Sequence, residues 1–417
     1  MKIVVVSPNF RHEKFWKRWV SLAQNHKDLE IVLLAPCNWT EGAFKNYTMG
    51  KVSQLKGKAY ESDNFSVRLI HTKQNLFGDW VSPDMGTIIK EETPDFLYVI
   101  GNHAQYSMMQ ALQACKKYCP QAKRLTFTMR SDQSYVKMRY NGLKSMIISF
   151  VSQKINNYNT RNSDAIFCHY PDARNAIIRE GYTGQVFMNT QIGVDSELFS
   201  FSKTGRELVR KEFNIGDSFL FGSATRFNPE KGILDILEAL PNEGDWKYMI
   251  LGSGRDDEIA TIKDKVKQLG YENRVIMPGV IGWDKLSDYL SALDCAIHVP
   301  RTTIDWKETF SLALVQAMAV GRPVIGNTSG SVPYQCGPDA IIVKEGNLEA
   351  LHNAMRRMMD NPKEAALIGE KQQQYVLDSF ETKRINECFY KVLVDLNEGV
   401  VKSNNIDTVP NKYIQNN

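Results

Sequence analysis

The sequence predicts an α/β protein made of two doubly wound parallel-sheet domains in tandem. Three observations predict it. Short β-branched runs alternate with amphipathic helical stretches, the pattern of βαβ units on a parallel sheet. The runs fall into two sets of about six. A break near Phe199–Lys211 separates the sets. In the first half, strands are expected at Ile3–Val6, Ile31–Ala35, Phe96–Ile100, Arg124–Thr128, Ala165–Cys168 and Val186–Met188. In the second they are expected at Phe219–Ala224, Tyr248–Leu251, Val275–Met277, Cys295–His298, Pro323–Gly326 and Ala340–Val343. Helices fill the gaps, among them Ile233–Leu240, Ile259–Leu269 and Leu348–Met359, and the polar stretch Asn38–Asn64 reads as an irregular excursion. The domains are expected at 1–198 and 199–380. A helix around 381–400 packs back on the first, and 401–417 forms a flexible tail.

Bulk properties narrow the function classes. With 417 residues, 43% hydrophobic and 24% charged, the chain is long enough for two or three domains with cores of their own. A net charge of +4 is small for this length and argues against a dedicated nucleic-acid binder. Cys37, Cys115, Cys119, Cys168, Cys295, Cys336 and Cys388 form no Cys-x-x-Cys pair, which suits a reduced compartment better than a disulfide framework. No apolar run reaches the ~18 residues of a membrane span. The expected location is therefore cytoplasmic, with at most peripheral contact at the inner face of a membrane.

In open parallel sheets ligands bind at the carboxyl ends of strands, where loops meet helix N-termini. After Phe219–Ala224 comes Thr225-Arg226-Phe227-Asn228-Pro229-Glu230-Lys231-Gly232. Arg226 and Lys231 at a strand end opening into a helix form an anion clamp suited to a diphosphate. Taken alone, the loop reads as readily as a solvated turn. Gly252-Ser253-Gly254 follows the next strand; glycine there permits close backbone approach, though Gly-x-Gly alone is a weak signal. Asp256 and Asp257 fit the start of a helix better than a metal pair. In KETFSLALVQAMAVGRPVI, Lys307–Ile325, a helix is expected from near Thr309. Glu308 then sits at the mouth of the sheet and Gln316 two turns along, roughly 12 Å apart at ~1.5 Å per residue. That separation suits a sugar at one end, a ribose at the other, and a phosphate on the amides of Thr309, Phe310, Ser311 and Leu312 between them.

Together these residues resemble the retaining GT-B glycosyltransferases of family 4, the glycosyl transferases group 1 type. Arg226 and Lys231 match the pair that holds the donor diphosphate, Gly252 and Gly254 the turn after the second strand, and Glu308 and Gln316 the two acids of Glu-x7-Glu. Gln191-Ile192-Gly193-Val194-Asp195-Ser196-Glu197-Leu198-Phe199 is similar to the family's domain-junction motif. The match covers roughly Thr190 to Gly346; the first half matches in topology alone. The resemblance implies two Rossmann-like domains facing an interdomain cleft. It also implies a nucleoside-diphosphate sugar donor, and a saccharide or lipid-linked acceptor in surface polysaccharide or lipopolysaccharide synthesis. No metal or other cofactor is implied, and Glu308 holds the donor hexose. The chain departs from the pattern at Gln316, which replaces the second acid, and at Thr309 and Ser311, which replace glycines. It departs again at Tyr334, near a common acid, and at Ser7-Pro8-Asn9-Phe10, which lacks a Gly-Gly pair.

On the acceptor side the loops after the first-half strands supply Asn9, His103, Arg130 and Asp132. Asp132 and His103 are also candidates for contact with the reacting sugar, against the plainer reading of surface polar residues; His12 and His71 are ordinary surface residues. Phe10–Trp19 and Lys137–Lys154 interleave basic with apolar side chains. The first reads better as a crossover helix packed on the sheet than as a membrane-lying helix; both are places for membrane contact if the acceptor is lipid-linked. Two other readings stay open: an epimerase or phosphorylase on the same architecture, and a nucleotide- or glycan-binding subunit without catalysis.

Overall fold

The computed structural model describes residues 1–11, 13–37, 61–75, 79–128, 143–304, 306–400 and 407–414. The chain forms two compact units. In the first, the strands are β1 (Lys2–Val6), β2 (Glu30–Pro36), β3 (Glu61–Ser62), β4 (Phe65–Ile70), β5 (Lys73–Gln74), β6 (Trp80–Val81), β7 (Phe96–Gly101), β8 (Lys123–Thr128), β9 (Ala165–Cys168) and β10 (Gln185–Met188). One sheet has the order β10-β9-β8-β7-β1-β2-β4-β3, with only β3 antiparallel; β5 and β6 form a separate ribbon.

Strands covered by helices on both faces must be apolar on both, which is why β1 reads KIVVV. Ile3 and Val5 join a cluster with Trp19, Leu22 and Phe389, whereas Val4 and Val6 join Ile88, Ile89, Met108 and Leu112 on the other face. β4 escaped the sequence reading because its run FSVRLI is interrupted. Ser66 and Arg68 are half-buried, and Arg68 reaches out to Glu91 and Glu92. Within the expected excursion Asn38–Asn64, Glu61–Ser62 is strand (β3); residues 38–60 lie outside the described residues.

The second unit holds β11 (Phe219–Ala224), β12 (Trp246–Leu251), β13 (Val275–Gly279), β14 (Cys295–His298), β15 (Val324–Asn327) and β16 (Ile341–Val343). They form one parallel sheet ordered β13-β12-β11-β14-β15-β16. The order reverses between β11 and β14, and the crevice outside the carboxyl ends of two such strands is where doubly wound sheets bind ligands.

The units meet along the chain at Asn189/Thr190 rather than at 198/199. Val194 and Phe199 are buried in the second core, and Val194 exchanges backbone hydrogen bonds with Phe380 and Thr382 (2.9 Å each). Asn386–Asp407 returns to the first unit, where Phe389, Val392 and Leu393 are fully buried. The expected flexible tail is corrected for residues 407–414. Asp407 bridges to Met188, Thr408 and Val409 are buried, and the Tyr413 ring stands edge-on to Tyr375 at 4.8 Å. Lys412 and Tyr413 also donate to Asp378 (2.6 and 2.8 Å), contacts that no periodicity in NNIDTVPNKYIQNN announces.

Candidate active site

The loops after β11 and β14 converge at the switch point of the second sheet. Gly232 has a φ of 71°, and a Cβ there would lie 2.1 Å from the Val299 carbonyl oxygen. The Arg301 amide donates to the Glu230 carbonyl (2.8 Å). This backbone contact brings Lys231 onto Glu308: Nζ lies 2.7 Å from Oε2, and the ammonium stands 4.5 Å from the centroid of the Trp306 ring. His298, the last residue of β14, places Nε2 at 3.3 Å from the same oxygen. Glu308 is 5% exposed. Burial alone would raise its pKa, but the His298 ring and the Lys231 ammonium outweigh that and lower it to about 2. Arg226 is half-buried and, among the described residues, forms no hydrogen bond or ion pair.

The helix expected from Thr309 begins at Leu312 and runs to Ala319, capped by Ser311, whose hydroxyl accepts from the Leu314 amide (3.3 Å). Glu308 therefore lies in the loop, so the stretch to Gln316 is not the continuous helix the spacing suggested. Gln335 takes up the Ser311 backbone: its Oε1 accepts from the Ser311 amide (2.8 Å) and its Nε2 donates to the Ser311 carbonyl (3.1 Å). The Ser311 amide is thereby withdrawn from the phosphate role expected of it, and the Phe310 ring packs on Phe380. Among the described residues, the amides of Thr309, Leu312 and Ala313 donate to no acceptor. They face the helix N-terminus, an anion-attracting end. Gln316 is 2% exposed and its Nε2 has no hydrogen-bond partner, an orphaned donor that costs stability unless something accepts from it.

Gly252 and Gly254 have a nearer reason than ligand approach. A Cβ on Gly252, at φ 137°, would sit 1.9 Å from the Thr225 carbonyl oxygen, and one on Gly254 would sit 2.7 Å from Phe227 Cβ. Both glycines let the β11 and β12 loops run on as a pair, with Thr225 N bonded to Leu251 O and Phe227 N to Ser253 O.

Residues 205–375 match the family model described as Glycosyl transferases group 1. The chain carries a glycosyl transferases group 1 domain. Its sequence is 26% identical over 203 residues to N-acetyl-alpha-D-glucosaminyl L-malate synthase of Bacillus anthracis, covering 46% of this chain and 51% of that protein. It is 24% identical over 197 residues to a GDP-mannose-dependent alpha-(1-6)-phosphatidylinositol monomannoside mannosyltransferase of Mycolicibacterium smegmatis, covering 45% and 51%. The chain thus spans about half the length of the curated relatives it matches. The structure of Anabaena HepE in complex with UDP superposes with a TM-score of 0.69 at 17% identity, over 95% of this chain and 100% of that one. Sucrose-phosphate synthase from Thermosynechococcus elongatus gives 0.72 at 17%, over 96% and 100%. These likenesses establish the GT-B fold.

Beside the group 1 domain, the first-half candidates divide. Asn9 is exposed at the carboxyl end of β1. Arg130 and Asp132 lie outside the described residues. His103, expected on the acceptor side, is 1% exposed with its ring nitrogens at 3.1 Å from Thr160 Oγ1 and 3.0 Å from Thr126 Oγ1. It is a satisfied core histidine. Phe10–Trp19 is structural as well: Phe10 and Trp19 are buried, and Arg18 is bound to Asn386 and Asn189. The second stretch differs. In the helix Leu143–Arg161, Met146, Ile147 and Phe150 are 69%, 55% and 64% exposed. Among the described residues no helix is long and apolar enough to cross a membrane, and no cluster of three or more His, Cys, Asp or Glu could hold a metal. Sequence reasoning missed His298, Trp306 and Gln335. His298 alone carried a signal, as the last residue of a strand at the ligand-binding edge.

The depressed Glu308 pKa makes the group's contribution to stability present above the ordinary value of 4.5 and lost as pH falls toward 2. The full shift is worth on the order of 3 kcal/mol at 1.36 kcal/mol per unit. The difference in urea-unfolding free energy between wild type and Glu308→Gln should hold steady above about pH 5 and shrink below it. A difference independent of pH would remove Glu308 from its ion pair.

Proposed function

We propose that the chain is a retaining hexosyltransferase that moves a hexose from a nucleoside-diphosphate sugar to a hydroxyl of a saccharide or lipid-linked acceptor in surface glycan synthesis. The observation that carries this is Arg226, a half-buried cation with no internal partner among the described residues. It lies in the loop after β11, at the strand switch point, as does Lys231; the chain after β14 carries the open amides of Thr309, Leu312 and Ala313. A cation held there without a counter-charge is suited to an anion from solution. The Mycolicibacterium relative is named as GDP-mannose-dependent and the Anabaena structure holds UDP, which supports a nucleoside-diphosphate donor.

In the proposed reaction the bond from the sugar's anomeric carbon to the diphosphate oxygen breaks and a bond to the acceptor oxygen forms. The acceptor's proton passes to the departing diphosphate. Negative charge grows on that diphosphate, so fixed cations and amides aimed at it supply the main electrostatic stabilisation. Arg226, Lys231 and the helix amides fill this role with no metal ion required. Glu308 orients the hexose through its hydroxyls, and Gln316 donates its orphaned Nε2 to a ribose oxygen.

A mass-resolved screen of UDP-, GDP- and ADP-sugars with saccharide acceptors tests the reading. Arg226→Ala and Lys231→Ala should each lower kcat/KM about a hundredfold, the scale of one lost transition-state contact, with the fold retained by circular dichroism. Unchanged turnover in Arg226→Ala would take it out of the clamp. Tight nucleotide binding with no turnover of any donor would instead mark a binding subunit.

Gln316→Glu restores an acceptor for both ribose hydroxyls and should tighten nucleoside diphosphate binding about tenfold, since charge-assisted hydrogen bonds are about twice as strong as neutral ones. Calorimetry with UDP and GDP showing no gain for either would place Gln316 away from the ribose.

For a lipid-linked acceptor, the exposed face of Leu143–Arg161 is the docking surface, and its occupant is an anionic lipid surface. The helix carries exposed Lys154 and Arg161 and its sequence holds no acid, so its charge complements such a surface. The protein should co-sediment with phosphatidylglycerol vesicles, and replacing Met146, Ile147 and Phe150 by Ser should abolish this while donor hydrolysis in the absence of lipid persists. Equal sedimentation of the two proteins would rule the helix out.

A further inference from the structure

The two oxygens of Glu308 are used unequally. Oε2 takes both Lys231 Nζ at 2.7 Å and His298 Nε2 at 3.3 Å, whereas Oε1 receives no hydrogen bond from any described residue. An ionised carboxylate only accepts, so the histidine nitrogen facing it is attractive only when it carries the proton. His298 is 8% exposed, and its Nε2 lies 3.3 Å from Oε2 without an aligned hydrogen bond to any described residue, so Glu308 is the acceptor nearest to hand for that proton.

The same Lys231 is asked to do two things. In the structure it neutralises Glu308; under the proposed reaction it must also meet the growing charge of the departing diphosphate. A lysine that turns toward a phosphate leaves the carboxylate behind it buried with less compensation, and breaking a buried pair from one side is strongly unfavourable. His298 is the remaining group within reach.

We propose that His298 is a positioning residue that keeps Glu308 ionised and aimed when Lys231 turns to the diphosphate. Its Nε2–H holds Oε2, and Oε1 is left to accept from a hydroxyl of the donor sugar. His298 needs no contact with the substrate to do this. The strand β14 fixes it from beneath the site, and the loop that follows carries Glu308 back over it. The inference rests on the hexosyltransferase reading.

The test compares His298→Leu, which removes the donor, with His298→Gln, whose side-chain nitrogen reaches about as far as Nε2. On the full chain, using the donor found in the screen, His298→Leu should lower kcat about thirtyfold with donor KM changed less than about threefold, the scale of one hydrogen bond to a charged group. His298→Gln should recover most of that loss. Both variants should bind UDP or GDP as wild type does. Wild-type kcat in His298→Leu, or equal impairment in His298→Gln, overturns the proposal, and so does loss of nucleotide binding in both, which would mark a purely structural histidine.

Nitrogen-15 NMR gives a readout independent of turnover. The His298 ring should be protonated at Nε2 in wild type, and this should change in Glu308→Gln. A ring with bare Nε2 in wild type overturns the proposal even if the transferase reading stands. A wild type without turnover on any donor, but with an Nε2-protonated ring, overturns the transferase reading and leaves the His298–Glu308 contact in place.

Discussion

The site depends on keeping one carboxylate charged where water barely reaches. A buried carboxylate loses several kcal/mol of hydration, and only close, well-placed partners offset that loss. Glu308 has Lys231 from the loop after β11 and His298 from the end of β14, so two neighbouring strands must deliver side chains to one oxygen. Backbone packing makes the meeting possible. Gly232 lets the first loop lie against Val299, and Gly330 lies where a Cβ would be 1.9 Å from the Glu308 carbonyl oxygen. That carbonyl also accepts from the Ser331 amide at 2.9 Å. The carboxylate is thus fixed through its own main chain as well as through its charge.

Around this point the structure separates groups that are committed from groups that are open. Ser311 spends its hydroxyl on a cap and its amide and carbonyl on Gln335. Gly252 and Gly254 are consumed in joining two loops. What stays open is Arg226, the amides of Thr309, Leu312 and Ala313, one oxygen of Glu308 and the buried Gln316 amide. That remainder pairs a cation and amide donors with one carboxylate acceptor.

Much of the fold was legible because parallel strands covered on both faces must be apolar throughout. The runs at Phe219–Ala224, Cys295–His298 and Ala165–Cys168 coincide with strands of the structure. β4 was not legible, since Ser66 and Arg68 break its run, and the docked segment around Val409 was not, since its few apolar residues show no periodicity. At the candidate site, Arg226, Lys231 and Glu308 were singled out from strand-end position and residue type; Lys231 and Glu308 meet in an ion pair, and Arg226 lies in the same loop as Lys231. His103 was misread because position at a strand end does not reveal burial: only the packing of Thr126 and Thr160 around its ring does that.

By itself, the sequence determined most of the strands and which ionisable residues follow their carboxyl ends, because these follow from local periodicity and chain order; the strand order, and with it the point where the sheet reverses, came from the tertiary structure. It could not determine that the Lys231 ammonium donates to Glu308, that Gln335 claims the Ser311 backbone, or that Trp306 and His298 close around the pair. Those are distances between residues far apart in the chain, and only the packing of one loop on another sets them.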